Sequence, residues 1–206
     1  MHPLTSGYNI NAFNTIENTK GRRYFFDEWV RGSVVNSAGK EIASEDYYFN
    51  LDKVNNDLLV TKDKKEIIQI KKESVKEIHF TDKIGMAFEF TRVEKISPYR
   101  FVEVIVKTAK YNVYKSINTR LVKSNYTTNG ITESGNPYDE YVDAPEYFIM
   151  YKDELRPVQL KFRSMKSKLK EESKMVNQFY ADHLEDEVDE NYLKNLIIYI
   201  SQPAAK

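Results

Sequence analysis

The hydrophobic period of this chain changes once, near Phe162, and that change constrains its fold more than any motif does. From Arg22 to about Phe162 apolar residues recur at every second position, as in strands with one buried face. Tyr47, Phe49 and Leu51 alternate with Asp46, Tyr48, Asn50 and Asp52. Ile84, Met86, Phe88 and Phe90 alternate with Gly85, Ala87, Glu89 and Thr91, the clearest case in the chain. Val102, Val104 and Val106 share a face opposite Glu103 and Lys107, and Ile78 and Phe80 point away from Glu77 and His79. The same reasoning expects strands at 33–36, 57–61, 66–71, 111–117, 147–151 and 158–162. Polar breaks of hairpin length at 37–39, 55–57, 63–65 and 81–83 separate them, and strands at intervals of about 8–12 residues point to a meander, sandwich or barrel. No amphipathic helix falls between consecutive strands, which argues against a parallel doubly wound sheet.

After Phe162 the period becomes 3.6. Met165, Leu169, Val176, Phe179, Tyr180 and Leu184 form one helical stripe, interrupted by the polar run 171–174. A second helix starts at Asp189, a good N-cap, with Glu190 at the positive end of the dipole. Tyr192, Leu193, Leu196, Ile197 and Ile200 are its apolar face, and Pro203 follows its end. Neither stripe is stable unburied, so both helices are expected to pack on the sheet or on each other. The fold class is therefore α+β: a mainly antiparallel body, curved, sandwiched or partly closed, with two or three C-terminal helices. Residues 1–21, rich in Asn and Thr, read as a flexible arm. Residues 22–201 read as a single domain, β-rich over 22–162 and helical over 163–201, and 202–206 as a tail.

Composition removes several functional classes. With 31 basic and 31 acidic side chains in 206 residues, there is no surplus of cations for general nucleic-acid binding. Zero cysteines exclude disulfide scaffolds, Cys-ligated zinc, iron–sulfur clusters and thiol catalysis. No apolar run approaches the length of a membrane span. The first residues lack a signal peptide's basic and apolar regions. A trimmed mature chain would be extracytoplasmic, in the periplasm, cell envelope or medium; an untrimmed one would be cytoplasmic.

Three histidines are present, without a His-x-x-x-His pair or a His-Glu-x-x-His helix, so no zincin pattern exists. His79 reads as an exposed or hydrogen-bonded strand residue. Gly130 and Gly135 have P-loop spacing, but Asn136 and Pro137 stand where Lys and Ser or Thr are required. The Gly-x-Ser-x-Gly elbow and the dinucleotide fingerprint are missing, and no cofactor is expected. Residues 156–174 hold seven basic and two acidic side chains, which at helical spacing read as a solvated face. Trp29, the sole tryptophan, is expected to anchor the first strand in the core.

The segment 125–146 stands apart. It is longer than an ordinary connection, holds no Lys or Arg, and carries Asp139, Glu140, Asp143 and Glu146 interleaved with tyrosines, which favours a functional loop. If the protein recognises anything, Tyr138, Asp139, Glu140, Tyr141 and Asp143 are the candidate partner-binding residues. Tyrosine offers contact area at low rotamer cost, and the adjacent carboxylates suit cationic or polyhydroxyl groups. The spacing is not that of an EF-hand, and no metal site is expected.

Phe26-Asp-Glu-Trp29-Val-Arg-Gly32, then Tyr48-Phe-Asn-Leu-Asp52, Asp57-Leu-Leu-Val60 and Glu77-Ile-His-Phe80, resemble the opening of an uncharacterised family of exported Gram-negative bacterial proteins. Asn129-Gly130, Gly135-Asn136, the 138–143 region and the terminal Leu196-Ile-Ile-Tyr-Ile helix are similar to that family as well. The similarity covers most of 22–201 and implies an exported β-rich protein without assigning an activity. The leading expectation is a non-catalytic exported protein that binds another protein or an envelope component. A lipocalin-like carrier of an apolar ligand is the alternative, and a hydrolase using the loop carboxylates is the second.

Overall fold

A computed structural model describes residues 7–10 and 19–202. In chain order the strands are β1 (Gly7–Ile10), β2 (Thr19–Lys20), β3 (Arg31–Asn36), β4 (Glu41–Ala43), β5 (Tyr48–Asp52), β6 (Asp57–Thr61), β7 (Ile67–Ile70), β8 (Val75–Thr81) and β9 (Ala87–Arg92). They continue as β10 (Phe101–Lys107), β11 (Tyr111–Val122), β12 (Thr127–Thr128), β13 (Glu133–Ser134), β14 (Asp139–Tyr151) and β15 (Glu154–Val158). Three helices follow, α1 (Phe162–Lys168), α2 (Ser173–Asp182) and α3 (Glu190–Ser201). The switch from strands to helices near Phe162 is thus present, and the fold is α+β with mostly antiparallel pairing. Two parts of the expected arm are strands: β1 pairs with β7, and β2 runs parallel to β14. The rest of that arm, with His2, and the tail from Pro203 on lie outside the described residues.

The chain forms two compact units, each assembled from separate stretches: Met1–Arg92, Tyr99–Phe101 and Ile117–Ala144 in the first, Val93–Pro98, Val102–Ser116 and Pro145–Lys206 in the second. In the first unit one sheet has the order β1-β7-β6-β5 and another runs β9-β8-β3-β4. They bury their apolar phases in one cluster. Phe49, Leu51, Leu58, Val60 and Ile70 come from the first sheet, and Val34, Val75, Ile78, Phe80 and Phe90 from the second. Phenylalanine rings fill it edge to face, with centroids 5.4 Å apart for Phe26–Phe80 and 5.6 Å for Phe80–Phe90, the geometry the ring quadrupole prefers. In the second unit the order β15-β14-β11-β10 offers Tyr111, Val113, Ile149, Tyr151 and Val158 to the helices, which return Met165, Leu169, Val176, Phe179 and the stripe of α3. The strand order ends at β4 in one unit and at β15 in the other. The sheet is open, and the partly closed barrel allowed by the sequence is not formed.

The last helix follows its sequence closely. Asp189 Oδ1 accepts the Tyr192 N–H at 2.8 Å, and Tyr192, Leu193, Leu196, Ile197 and Ile200 are all buried. The polar interruption is a single tight turn, Lys170–Glu172, that divides α1 from α2. Leu184, assigned to the stripe, is exposed beyond the end of α2.

Three strand expectations are corrected. Ile84 and Met86 do not extend β9. Asp82 Oδ1 accepts the N–H groups of Ile84 (3.0 Å) and Met86 (2.8 Å), and Gly85 takes φ +83°, so this stretch is a turn with both side chains in water. The strand expected at 158–162 lies earlier, at Glu154–Val158. Lys152 and Asp153 both adopt positive φ, and Tyr151 pairs with Glu154, which makes a two-residue hairpin of the kind matched to sheet twist. Pro157 is accommodated because β15 ends the strand order. Trp29 is half-buried rather than central; Phe26 and Val30 on either side of it enter the core.

Arg156 fixes the start of the helical region. Its guanidinium donates to Glu171 at 2.8 and 2.9 Å, to Glu154 at 2.6 Å and to the Lys168 carbonyl at 2.6 Å. Elsewhere in the basic run, Lys161, Arg163, Lys166 and Lys170 are exposed. The Arg156 hydrogen bond, with a backbone N–H, holds the Glu171 carboxyl down to about 2 from its ordinary 4.5. A depressed carboxyl pKa adds stability above the unfolded value, and that stability disappears as pH falls through the folded one. The melting temperature of Glu171→Gln should therefore lie below wild type at pH 7, with the gap closing between about pH 4.5 and pH 2. A gap that stays constant over this range would show that the pair contributes nothing through its charge.

Candidate functional site

Between β11 and β14 the chain projects as a small hairpin rather than a long irregular loop. β12 and β13 pair through Thr127–Ser134 and Thr128–Glu133. The turn is closed by Asn129, whose Oδ1 accepts the N–H groups of Ile131 (3.0 Å) and Thr132 (2.8 Å) and the Thr132 hydroxyl (3.1 Å). Gly130 follows with φ +83°. At the base, Asn125 Oδ1 accepts the Asn136 N–H at 2.7 Å, and the Asn136 carbonyl accepts from the Asn125 N–H at 3.2 Å and the Ser124 hydroxyl at 2.8 Å. Gly135 is required there. It has φ +82°, and a Cβ on it would sit 2.3 Å from the Asn125 carbonyl oxygen. These contacts define the turn at whose tip Ile131 stands at 92% exposure, with Tyr126 and Val122 also exposed below it.

The five residues singled out from sequence lie beyond the hairpin, at the start of β14 and just before it. Strand alternation divides them: Asp139, Tyr141 and Asp143 fall on one face of the strand, Tyr138 and Glu140 on the other. Asp139 holds Lys123 at 2.8 Å and the Ser124 N–H at 2.8 Å. Those two hydrogen bonds, Lys123 first, keep its carboxyl below the usual carboxylate range. Asp143 receives Lys53 Nζ and the Thr119 hydroxyl, each at 2.6 Å. Burial works against its charge, and the hydrogen bonds from Lys53 and Thr119 outweigh it, so its pKa is also lowered. Since only 7% of the Lys53 side chain is exposed, Asp143 is the counter-charge of a buried ammonium.

The tyrosines serve the same junction. Lys20 Nζ lies 3.7 Å over the Tyr138 ring, a cation–π contact. The backbone of Glu140 pairs with Lys20. Gly21, with φ +71°, lets the chain pass so close to Tyr141 that a Cβ would meet its carbonyl oxygen at 2.3 Å. Tyr138–Asp143 thus anchor β2, β11 and the β5–β6 turn, while the hairpin before them faces solvent. The Asn129-Gly130 dipeptide is a standard hairpin signal and could have located that element.

A second polar cluster lies in the other unit. Lys115 Nζ is 2.8 Å from Glu190 Oε2 and 3.4 Å from Glu103 Oε2, and the Tyr147 hydroxyl donates to the same Glu190 oxygen at 2.8 Å. Burial, the largest influence, pushes the Glu103 carboxyl up, with Lys115 opposing and Glu190 adding to the rise. Burial and the Glu190 contact raise the Tyr147 hydroxyl well above its ordinary value. Alternation on β10 placed Glu103 in the polar phase, yet it is buried, with Lys115 from distant sequence as its counter-charge.

Among the described residues no helix is long and apolar enough to cross a membrane. Comparison with protein-family models, curated proteins and solved structures finds no match for this chain.

Proposed function

We propose that this is a non-catalytic binding protein whose contact element is the 126–135 hairpin, with Ile131 as its leading anchor. The observation that carries this reading is an apolar side chain at 92% exposure on a turn whose backbone is locked by Asn129 and Gly135. A pre-organised loop loses little entropy on docking, and burying an isoleucine in a partner's pocket supplies about 1.5–3 kcal/mol. The partner is a protein or envelope component offering an apolar pocket. An extracytoplasmic setting is part of the proposal, supported by the resemblance of the 26–32, 48–52 and 77–80 stretches to exported proteins.

The binding reading is favoured over a hydrolase because Asp139 and Asp143, the acids such chemistry would use, are engaged with Lys123 and Lys53. It is favoured over a carrier because the apolar phases of the first unit's sheets meet in a core filled by phenylalanine and aliphatic side chains. The test is affinity capture from envelope extract with wild type and Ile131→Asp. At so exposed a site the substitution should change stability by less than about 0.5 kcal/mol while abolishing the captured partner. Ile131→Asp protein that is folded and retains its partners in full overturns the proposal.

A further inference from the structure

The face of β8 turned away from the core carries a histidine between converging carboxylates. Ile78 and Phe80 point inward, which puts Glu77 and His79 together on the other side. In the antiparallel register His79 stands opposite Glu89 of β9. One donor atom from each of Glu77, His79 and Glu89 lies within 4.8 Å of the other two. Glu77 directs Oε1 to Lys76 Nζ at 3.3 Å and Oε2 toward His79 Nε2 at 3.9 Å. Ser33, opposite His79 on the β3 side, gives its hydroxyl to Glu41 at 2.6 Å. The other described histidine, His183, is stacked on Phe179 with Nδ1 2.8 Å from that residue's carbonyl oxygen.

We propose that Glu77, His79 and Glu89 form a binding site for a borderline divalent transition ion of the zinc class. At 3.9 Å the imidazole and the Glu77 carboxylate are too far apart for a hydrogen bond, yet they suit two ligands of one ion. Donors about 2.1 Å from a shared metal are separated by no more than about 4.2 Å. Small rotations of partly exposed side chains bring all three within that limit. The backbone is already fixed, because β8 is paired on both sides, to β3 and to β9. An imidazole beside two carboxylates favours zinc-like ions over calcium and magnesium, which prefer oxygen alone. Three protein ligands leave a coordination position for water. The bound ion would neutralise the two acids and tie β8 to β9, and the site is independent of the hairpin and its partner.

The test is titration of the chelator-treated full chain with Zn2+ by calorimetry, with Co2+ absorption as a second readout. We expect one saturable equivalent, and His79→Ala should weaken it about 100-fold, at least what loss of a supporting group alone causes. A chain with both His2 and His183 changed to alanine should bind as wild type does. Circular dichroism confirms that each variant is folded. Absence of saturable binding up to millimolar Zn2+, unchanged affinity in His79→Ala, or equal competition by Ca2+ would each overturn the site.

Discussion

Asn50→Leu should destabilise the first unit by about 3–5 kcal/mol, the sum expected when two or more buried backbone groups lose their partners. Asn50 is completely buried in β5. Its Oδ1 accepts the Phe26 N–H at 3.1 Å and the Leu51 N–H at 2.9 Å, and its Nδ2 donates to the carbonyls of Phe26 at 2.9 Å and Glu28 at 3.3 Å. One amide therefore does for the 24–30 segment what a neighbouring strand would do, alongside isolated bridges at Tyr24–Asp52 and Val30–Phe49. Leucine keeps the branched outline of the side chain and supplies none of these bonds. Trp29 lies within the tethered segment, so its fluorescence during urea unfolding reports the loss directly. A loss below about 1 kcal/mol would mean that the Phe26 peptide groups find water or other partners once the amide is gone.

Lys115→Met is the second large effect, about 3–5 kcal/mol at pH 7, because it strands the charge of Glu103 in the interior. Only 10% of the Glu103 side chain is exposed, against 32% for Glu190, so Glu103 suffers more. The sign of the pH dependence follows from its raised pKa. The folded protein holds the Glu103 proton more tightly than the unfolded chain does, so stability from this group is present below its ordinary 4.5 and declines as pH rises through the folded value. Without Lys115 that rise grows. The gap between wild type and Lys115→Met should accordingly narrow as pH falls toward 4.5 and widen toward 7. The double variant Glu103→Gln, Lys115→Met should recover more than half of the loss at pH 7, as a mutant cycle would register. A gap that does not vary with pH would place the cost in lost packing of the lysine stem instead.

What the sequence made legible and what it hid divide along physical lines. The helix α3 was readable because its determinants are local: a cap at Asp189 and an apolar stripe repeating every three or four residues. The sandwich strands were readable where alternation ran uninterrupted, as in β8; β5 was readable as a strand, but its polar-phase residues Asn50 and Asp52 are buried. Alternation misled at Ile84 and Met86, where a single Asp82 side chain captured two N–H groups and turned the chain before β9 began. The β14–β15 turn was hidden because Lys152-Asp153 is not among the usual positive-φ pairs. Asp139 and Asp143 stood out as an acidic cluster, but Lys53 is 90 residues from Asp143, and no spacing rule joins the two. The buried Lys115 cluster was invisible for the same reason, drawing its members from β10, β11, β14 and α3.

The composition of the second unit's core sets an order on the chain's life at the ribosome. The sheet residues Tyr111, Val113, Ile149, Tyr151 and Val158 are synthesised well before the α3 residues that cover them, Tyr192, Leu193, Leu196, Ile197 and Ile200. A nascent chain that has finished β15 therefore carries a bare apolar sheet face, the kind of surface on which chaperones act and aggregates start. Premature termination between β15 and α3 leaves that face without the stripe of α3 for good. The first unit has a different dependence: its last contribution, Ile117–Ala144, is made some fifty residues before α3, so its core can close while the second still waits. Quality control of this protein thus turns on the arrival of the helices at a sheet synthesised before them, with the twelve residues of α3 following α1 and α2.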